Sequence, residues 1–279
     1  MTPTWLIEAD VFPNECDRLV AELVKQQVPH VVCKFGKSYE DYIADFADNA
    51  CMVFHGSLQF ASLLRRKTNW SGIYCNLPKF ECLYYYPRFG QYLLNSDYVM
   101  LPFGELNRRK DWLFQHVGRD NKLFVRPSSG FKTFTGKVTN IENWEKDVKL
   151  FGFYSIDPEE LVIAAPPSKI KQEWRVVVVD NKVISGSKYD VNDAQYWDND
   201  HAIERLPESV SQYVQDMLDV VEYRPDPAWT VDICELESGE LEVVEVGSFS
   251  CAGMYASDPE PIVTEINRIS IREWKENNS

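Results

Sequence analysis

Thr230-Val231-Asp232-Ile233-Cys234 and Val243-Val244-Glu245-Val246-Gly247 are two apolar runs, each broken by a single acid. Ser238-Gly239 lies between them as a two-residue hairpin signal, so the runs read as antiparallel strands over 229–236 and 241–246. Position sums about that turn place Asp232 opposite a residue near Glu245. Two carboxylates then converge in a sheet made otherwise of Val, Ile and Cys. Burying both without a partner is costly. A divalent cation relieves the cost, and hard Mg²⁺ prefers carboxylate oxygens and nucleotide phosphates. The competing reading, two solvent-facing acids on an alternating strand, stays open at this point; Glu240 and Glu242 are such acids.

Working upstream, Gln172-Glu173-Trp174-Arg175-Val176-Val177-Val178-Val179 ends in four valines, a run that demands burial on both faces of a strand. Asp180-Asn181 turns it into a second strand over 182–185. Arg175 stands at the start of the run, either as a functional cation or in a structural ion pair with Glu173. Lys188 follows the second strand, so Arg175 and Lys188 are expected to meet at one end of this hairpin. Further upstream, Phe124-Val125-Arg126-Pro127-Ser128-Ser129-Gly130-Phe131-Lys132-Thr133-Phe134-Thr135-Gly136-Lys137 is a strand ending in a cation, then a loop. Such a loop either brings backbone N–H groups and cations onto phosphate oxygens or is plain surface. An apolar strand over 161–165 is stopped by Pro166-Pro167.

The order is thus a cation–Pro–glycine loop, an apolar strand, a Glu-x-Arg hairpin, a lysine, and an Asp/Glu hairpin. This resembles the ATP-grasp fold, an α+β architecture, over roughly 105–275. Phe124-Val125-Arg126-Pro127, Glu173-Trp174-Arg175, Lys188-Tyr189 and Glu245-Val246-Gly247-Ser248-Phe249-Ser250-Cys251-Ala252-Gly253-Met254-Tyr255 are similar to the clade in which arginine replaces a nucleotide-binding lysine. That clade includes the eukaryotic cell-division-cycle protein that assists assembly of translation initiation factor 2, and bacterial and phage proteins proposed to modify proteins or peptides.

The resemblance implies ATP held between two lobes by Arg126, Ser128, Ser129, Gly130, Lys132, Glu173, Arg175 and Lys188. It implies adenine against 163–165, including Ala164 and Ala165, and Mg²⁺ on Asp232 and Glu245. The implied reaction is phosphorylation of a substrate carboxylate by ATP, then displacement of phosphate by an amine, with Arg175 and Lys188 acting on the transferring group. The acceptor is a small molecule, a peptide or a protein. One departure stands out: the family ends its last hairpin with an acid, one residue, then Asn, and Gly247 occupies the Asn position, leaving Ser248 or water to complete a metal shell. The alternative is a non-catalytic ATP-binding assembly factor for a protein partner.

The N-terminal part reads as a small α/β domain, 1–104, ahead of the ATP-grasp domain, 105–279. Strands over 5–7, 30–35 and 51–54 alternate with a helix capped by Asn14 and helices over 39–47 and 57–66, a pattern that suggests a parallel sheet. Residues 67–104, with Tyr84-Tyr85-Tyr86-Pro87, read as irregular covering structure whose aromatics pack the core. A helix over 105–117 carries Leu106, Trp112, Leu113 and His116 on one face. Asn140 is expected to cap a helix with Ile141, Trp144 and Val148, and helices over 208–221 and 261–276 follow.

Composition narrows the function classes. The 279 residues are 44% hydrophobic and 26% charged, enough to bury a sizeable core. A formal net charge of −14 disfavours nucleic acid and anionic membrane as partners. The seven cysteines form no C-x-x-C pair and read as reduced residues of a cytoplasmic protein. Residues 1–11 lack the pattern of a signal peptide, and no apolar stretch nears the ~20 residues that span a bilayer. Gly36-Lys37-Ser38 is not a P-loop, because Val31 stands five positions before Gly36, and no G-x-G-x-x-G occurs. The four scattered histidines form no Ser-His-Asp or Cys-His set, and the sequon at Asn69 reads as chance.

Overall fold

The computed structural model of the chain describes residues 1–33, 37–131, 133–151, 156–189, 203 and 205–279. Its first layer is a parallel sheet in the order β2-β1-β3, built from β1 (Thr4–Glu8), β2 (His30–Cys33) and β3 (Met52–His55). Helices α1 (Pro13–Lys25), α2 (Tyr39–Ala44) and α3 (Leu58–Lys67) connect and cover it. Ser57 caps α3 by accepting from the N–H of Phe60 (3.2 Å), and Ser38 with Asp41 forms a capping box on α2. Asn14 does not cap α1. The helix begins one residue earlier, at Pro13, whose fixed φ and missing N–H suit a first helical position, and Phe12 takes the cap without a side-chain bond. Residues 34 and 35 of the expected second strand lie outside the described residues.

The stretch 67–104 is more regular than its composition suggests. Cys82–Phe89 forms α4, with Pro87 inside it, and buries Tyr85 and Tyr86 completely, so its aromatics are core residues as expected. Val99–Pro102 forms β4, which pairs with a later strand. Glu105–Arg108 (α5) and Lys110–His116 (α6) replace the single helix expected over 105–117, with the break at Arg109. Leu106, Leu113 and Phe114 face inward, whereas Trp112 is exposed.

A second, antiparallel sheet follows in the order β4-β7-β5-β6, where β5 is Lys122–Pro127, β6 Lys137–Asn140 and β7 Leu161–Ala165. Helix α7 (Trp144–Phe151) packs against it; the Asn140 side chain accepts from the N–H of Asn143 (2.8 Å), ahead of the helix, and Ile141 is exposed. Strand β4 precedes the expected boundary at 104/105 yet belongs to this sheet.

The third sheet, β11-β10-β8-β9, carries the site. Its strands are β8 (Ile170–Val179), β9 (Lys182–Tyr189), β10 (Ala228–Leu236) and β11 (Leu241–Ser248), with α8 (Glu208–Val220) and α9 (Pro259–Asn277). Asp180 and Asn181 both adopt left-handed φ (46° and 65°), as a two-residue hairpin turn requires, whereas the turn at Ser238-Gly239 has three residues: Leu236 pairs with Glu240, and Gly239, at φ 90°, closes it. All four valines of 176–179 are fully buried, for a reason the register supplies. Val176 and Val178 join Trp174, Trp229, Val231 and Ile233 in a core shared with α4, α8 and Ile163 and Ala165 of β7. Val177 and Val179 face the other way, with Ala228, onto Trp5, Leu19 and Leu23 of the N-terminal layer and the apolar face of α9. Each such side chain contributes about 1.5–3 kcal/mol relative to exposure, so one sheet ties both halves of the chain together. Among the described residues no helix is long and apolar enough to cross a membrane.

Candidate active site

The register that unites the cores also sets the site. Asp232 on β10 stands directly opposite Glu245 on β11 and, on its other side, opposite Arg175 on β8. Partners on one rung share a face of the sheet, so all three project together. A bulge between Asp232 and Ile233 preserves this alignment, because it absorbs the extra residue Val244. Arg175 donates to both oxygens of Asp232, from Nε to Oδ1 at 2.8 Å and from Nη2 to Oδ2 at 2.6 Å, and from Nη1 to the carbonyl of Gly253 at 3.2 Å. Arg175 is 9% exposed and Asp232 1%. Arg126, at the end of β5 in the neighbouring sheet, donates from Nη2 to Glu245 Oε2 at 3.0 Å.

Arg126, Arg175 and Glu245 border a cavity of about 300 Å³, with Asp232 behind Arg175. Arg126, Arg175, Glu245, Glu15, Thr230 and Ser248 are on its polar wall; Val11, Phe12, Leu58, Leu77, Phe80 and Tyr255 are on an apolar one; Gly130 and Gly247 lie between them. The Arg175 guanidinium lies 5.1 Å from the ring centre of Tyr255. Tyr255 occupies the left-handed region at φ 50°, a costly conformation for a non-glycine residue, and its surroundings pin it there: Arg18 donates to its carbonyl, and Glu15 of α1 accepts from the N–H of Met254 at 2.5 Å. Burial pushes the Glu15 carboxyl up, opposed by the Met254 and Tyr255 N–H groups and by Arg175 and Arg18. His55 packs beside Phe12 and Phe249; burial pushes its imidazole down to about 4, so the ring is neutral and lies 3.1 Å by Nε2 from the Ala252 carbonyl. It is a structural histidine, in keeping with the lack of any catalytic set around the four histidines of the sequence.

Not every expected residue meets at this cavity. Arg126, Gly130, Arg175 and Glu245 do. Lys188 does not join Arg175: Arg175 is paired with Ser187, and Lys188 with Trp174, so alternation puts the two cations on opposite faces of the sheet. Glu173 shares the Arg175 face two residues away, but the ion pair that Arg175 makes runs across the strands to Asp232. The Ser128 hydroxyl accepts from the N–H of Leu83 at the start of α4 (3.2 Å), and the Ser129 hydroxyl from the N–H of Phe131 (3.1 Å). Ala165 faces the core between the two antiparallel sheets, whereas Ala164 faces the core between the β4-β7-β5-β6 sheet and helices α5 to α7, with Leu113, Val125 and Trp144. Lys132 lies outside the described residues.

Sequence reasoning passed over Glu15, Phe12, Tyr255 and Thr230. Glu15 meets Met254 across 239 positions, a separation that leaves no local pattern to read. Thr230 sat inside the quoted strand, two residues before Asp232, and its alternation with Asp232 was the available signal.

Among the described residues no three His, Cys, Asp or Glu side chains gather as a metal centre. Two carboxylates in register do supply hard oxygen donors of the kind Mg²⁺ takes when phosphates complete its shell.

A family model of the ATP-grasp domain, the second family of the arginine-for-lysine clade, matches residues 107–264. Among solved structures, a D-cycloserine synthetase superposes with a TM-score of 0.60 at 12% identity, covering 96% of this chain and 99% of its own. The D-alanine–D-alanine ligase of Bacillus anthracis, solved with ATP, gives 0.57 at 15% identity over 99% of this chain and all of that one. An ATP-grasp ligase, PsnB, solved with a phosphomimetic variant of its minimal precursor, Mg and ADP, gives 0.57 at 9% identity over 97% and 98%. At such identities the likeness is one of fold. No curated protein matches the chain.

Proposed function

As the chain belongs to the ATP-grasp domains, in the second family of the clade that carries arginine for lysine, we propose that it is an ATP-dependent ligase that activates a substrate carboxylate for attack by an amine. The observation that carries the reading is the pair of rungs at one cavity: Asp232 with Glu245, and an arginine on each carboxylate from a different sheet. Phosphoryl transfer to a carboxylate brings two anions together, and the protein's task is positioning and charge neutralisation rather than covalent chemistry. Arg126 and Arg175 neutralise charge at the cavity. Glu245 lines the cavity and fits a magnesium ion, with Asp232 beside it on the next strand and held by Arg175; the ion when bound would offset the charge of the nucleotide phosphates. The apolar wall of Phe12, Leu58 and Tyr255 excludes water from the activated acyl group, whose hydrolysis competes with amine attack.

Ala165 and Ile163 lie in the apolar core between the two antiparallel sheets, at whose edge a planar base is placed in this reading, and Lys188 is on the Trp174 face. The nucleotide in this reading lies between the sheets with its phosphates toward Arg126, while the carboxylate substrate occupies the cavity beside Arg175. The solved ligases of this fold include one named for joining D-alanine to D-alanine and one solved with a precursor. The acceptor class to search therefore runs from free amino acids to peptides.

The test is incubation with ATP, Mg²⁺ and hydroxylamine against pools of amino acids and peptides. A carboxylate substrate yields ADP, phosphate and a hydroxamate in equal amounts. The second reading, an ATP-binding assembly factor, is favoured by Gly247 and by the arginine already held on each carboxylate. Tight ATP binding with no hydroxamate and no ADP across the pools would select it.

A further inference from the structure

The cavity wall holds one oxygen donor that neither the family match nor the ligase reading assigns. Thr230 stands on β10 two residues from Asp232 and so on the same face; directly across from it on β11 is Gly247. A Cβ placed on Gly247 would lie 2.7 Å from Thr230 Oγ1, and among the described residues that hydroxyl is the one atom such a Cβ would meet within 4 Å. The hydroxyl therefore occupies the space into which any side chain at 247 would grow. Thr230, Gly247 and Glu245 all line the cavity, whereas Asp232 sits behind the Arg175 guanidinium and does not. Thr230 is 2% exposed, so its hydroxyl is fixed by packing rather than free to turn into solvent. Ser248, the other hydroxyl nearby, lies on the next residue of β11, paired with Trp229 and so on the opposite face of the strand from the Thr230–Gly247 rung.

We infer that Thr230 Oγ1 is an oxygen donor to the divalent cation that accompanies the nucleotide, alongside Glu245, and that Gly247 is glycine because this hydroxyl fills its place. A neutral hydroxyl adds a hard oxygen without adding a third negative charge beside two carboxylates, which suits a cation that also carries phosphates. The inference rests on the ligase reading only in requiring that a metal–nucleotide complex binds here. It makes the glycine at 247 a relocation of a donor from β11 to β10, not its loss.

The experiment is a Mn²⁺ titration followed by electron paramagnetic resonance, with the full chain and saturating ADP, so that metal affinity is read without turnover. Thr230→Val keeps the β-branched shape and removes the oxygen; Thr230→Ser keeps the oxygen. Valine at 230 is expected to weaken Mn²⁺ about tenfold, the loss of roughly one good contact, and serine to stay near wild type. Gly247→Asn alone, pressed against Thr230, is expected to lower thermal stability, and Thr230→Ala with Gly247→Asn to recover both stability and Mn²⁺ affinity. Unchanged Mn²⁺ affinity in Thr230→Val, with wild type binding the ion, overturns the role of Thr230 and leaves the ligase reading standing. Wild type that binds ADP but takes up no Mn²⁺ overturns the metal–nucleotide reading itself. Metal-free ADP binding and the melting temperature of each variant report whether it is folded.

Discussion

Arg175 holds Asp232 with a two-pronged ion pair across adjacent strands, at 2.8 and 2.6 Å, in a position where both side chains are buried. From sequence alone, Asp232 and Glu245 stood as two acids whose burial without a partner is costly, which would make Asp232→Asn a slightly stabilising change when no cation is bound. The pairing reverses that expectation. Asparagine keeps the shape but removes the charge facing a buried guanidinium, and breaking one partner of a buried pair is destabilising. Asp232→Asn should lose about 1–3 kcal/mol in urea denaturation, the residual amide hydrogen bond sparing part of the full cost, and should also lose magnesium-dependent ATP consumption. A variant as stable as wild type would mean that the pair contributes nothing net.

The opposite faces of Arg175 and Lys188 separate two effects that the sequence had merged. Lys188 is partly exposed on the Trp174 side, so Lys188→Ala should weaken ATP binding about tenfold through loss of one charge-assisted contact, with little change in melting temperature. Arg175→Ala removes the partner of Asp232 and the cation over Tyr255. It should lower stability and raise the requirement for the carboxylate substrate more than that for ATP. Calorimetric ATP titrations of both variants check this; equal effects on ATP in the two would place both cations on the nucleotide.

How legible this site was depends on how far apart its parts lie in the chain. Counting from Ser238-Gly239 as a two-residue loop reaches the Asp232–Glu245 rung; the turn has three residues, and the bulge that leaves out Val244 restores the counted register. The four-valine run likewise announced a strand covered on both faces. Lys188 was misplaced by a single position of register: strand β9 shifts against β8 between Val177 and Val178, and one residue of slip moves a side chain to the other face. Strand β4 was hidden because a four-residue strand within 67–104 shows little period of its own and is defined by pairing with β7, far along the chain. The apolar wall of Phe12, Leu58 and Tyr255 forms from three distant segments, and nothing in any one of them points to the others.

Ala164 and Ala165 differ by one position and by which core they enter. Ala164→Leu adds bulk against Leu113, Val125 and Trp144, all of which are fully buried or nearly so. Overpacking there should cost about 1–3 kcal/mol of stability. Ala165→Leu, which grows into the buried core between the antiparallel sheets, should carry a similar stability cost and in addition weaken ATP affinity. Melting curves with and without ATP distinguish the two: the gain in melting temperature on adding ATP should shrink for the 165 variant and persist for the 164 variant. The reverse pattern would move the adenine to the other face of β7.

Asp226 offers a test by pH. Burial pushes its carboxyl up from the ordinary 3.8 to about 6, against the pull of the Asn76 N–H, which donates to Oδ2 at 2.8 Å, and of Arg65 and Lys79. In the folded protein the proton is thus held more tightly than in the unfolded chain. The stability this supplies is complete below about pH 3.8 and is lost as pH rises through about 6. Asparagine keeps an oxygen for the Asn76 N–H and has no proton to lose. Asp226→Asn should therefore match wild type near pH 4 and exceed it by about 2–3 kcal/mol at pH 7.5, since each pKa unit is worth about 1.4 kcal/mol. Half-buried Glu273, pushed up to about 7 by burial and in part by the charge of Asp226, acts in the same direction and adds to the difference, because Asp226→Asn removes that push; His55, pushed down to about 4, acts in the opposite direction but is common to the two proteins and cancels. Urea denaturation of both proteins across that range measures it. A stability difference that stays constant with pH would show that Asp226 titrates at its ordinary value.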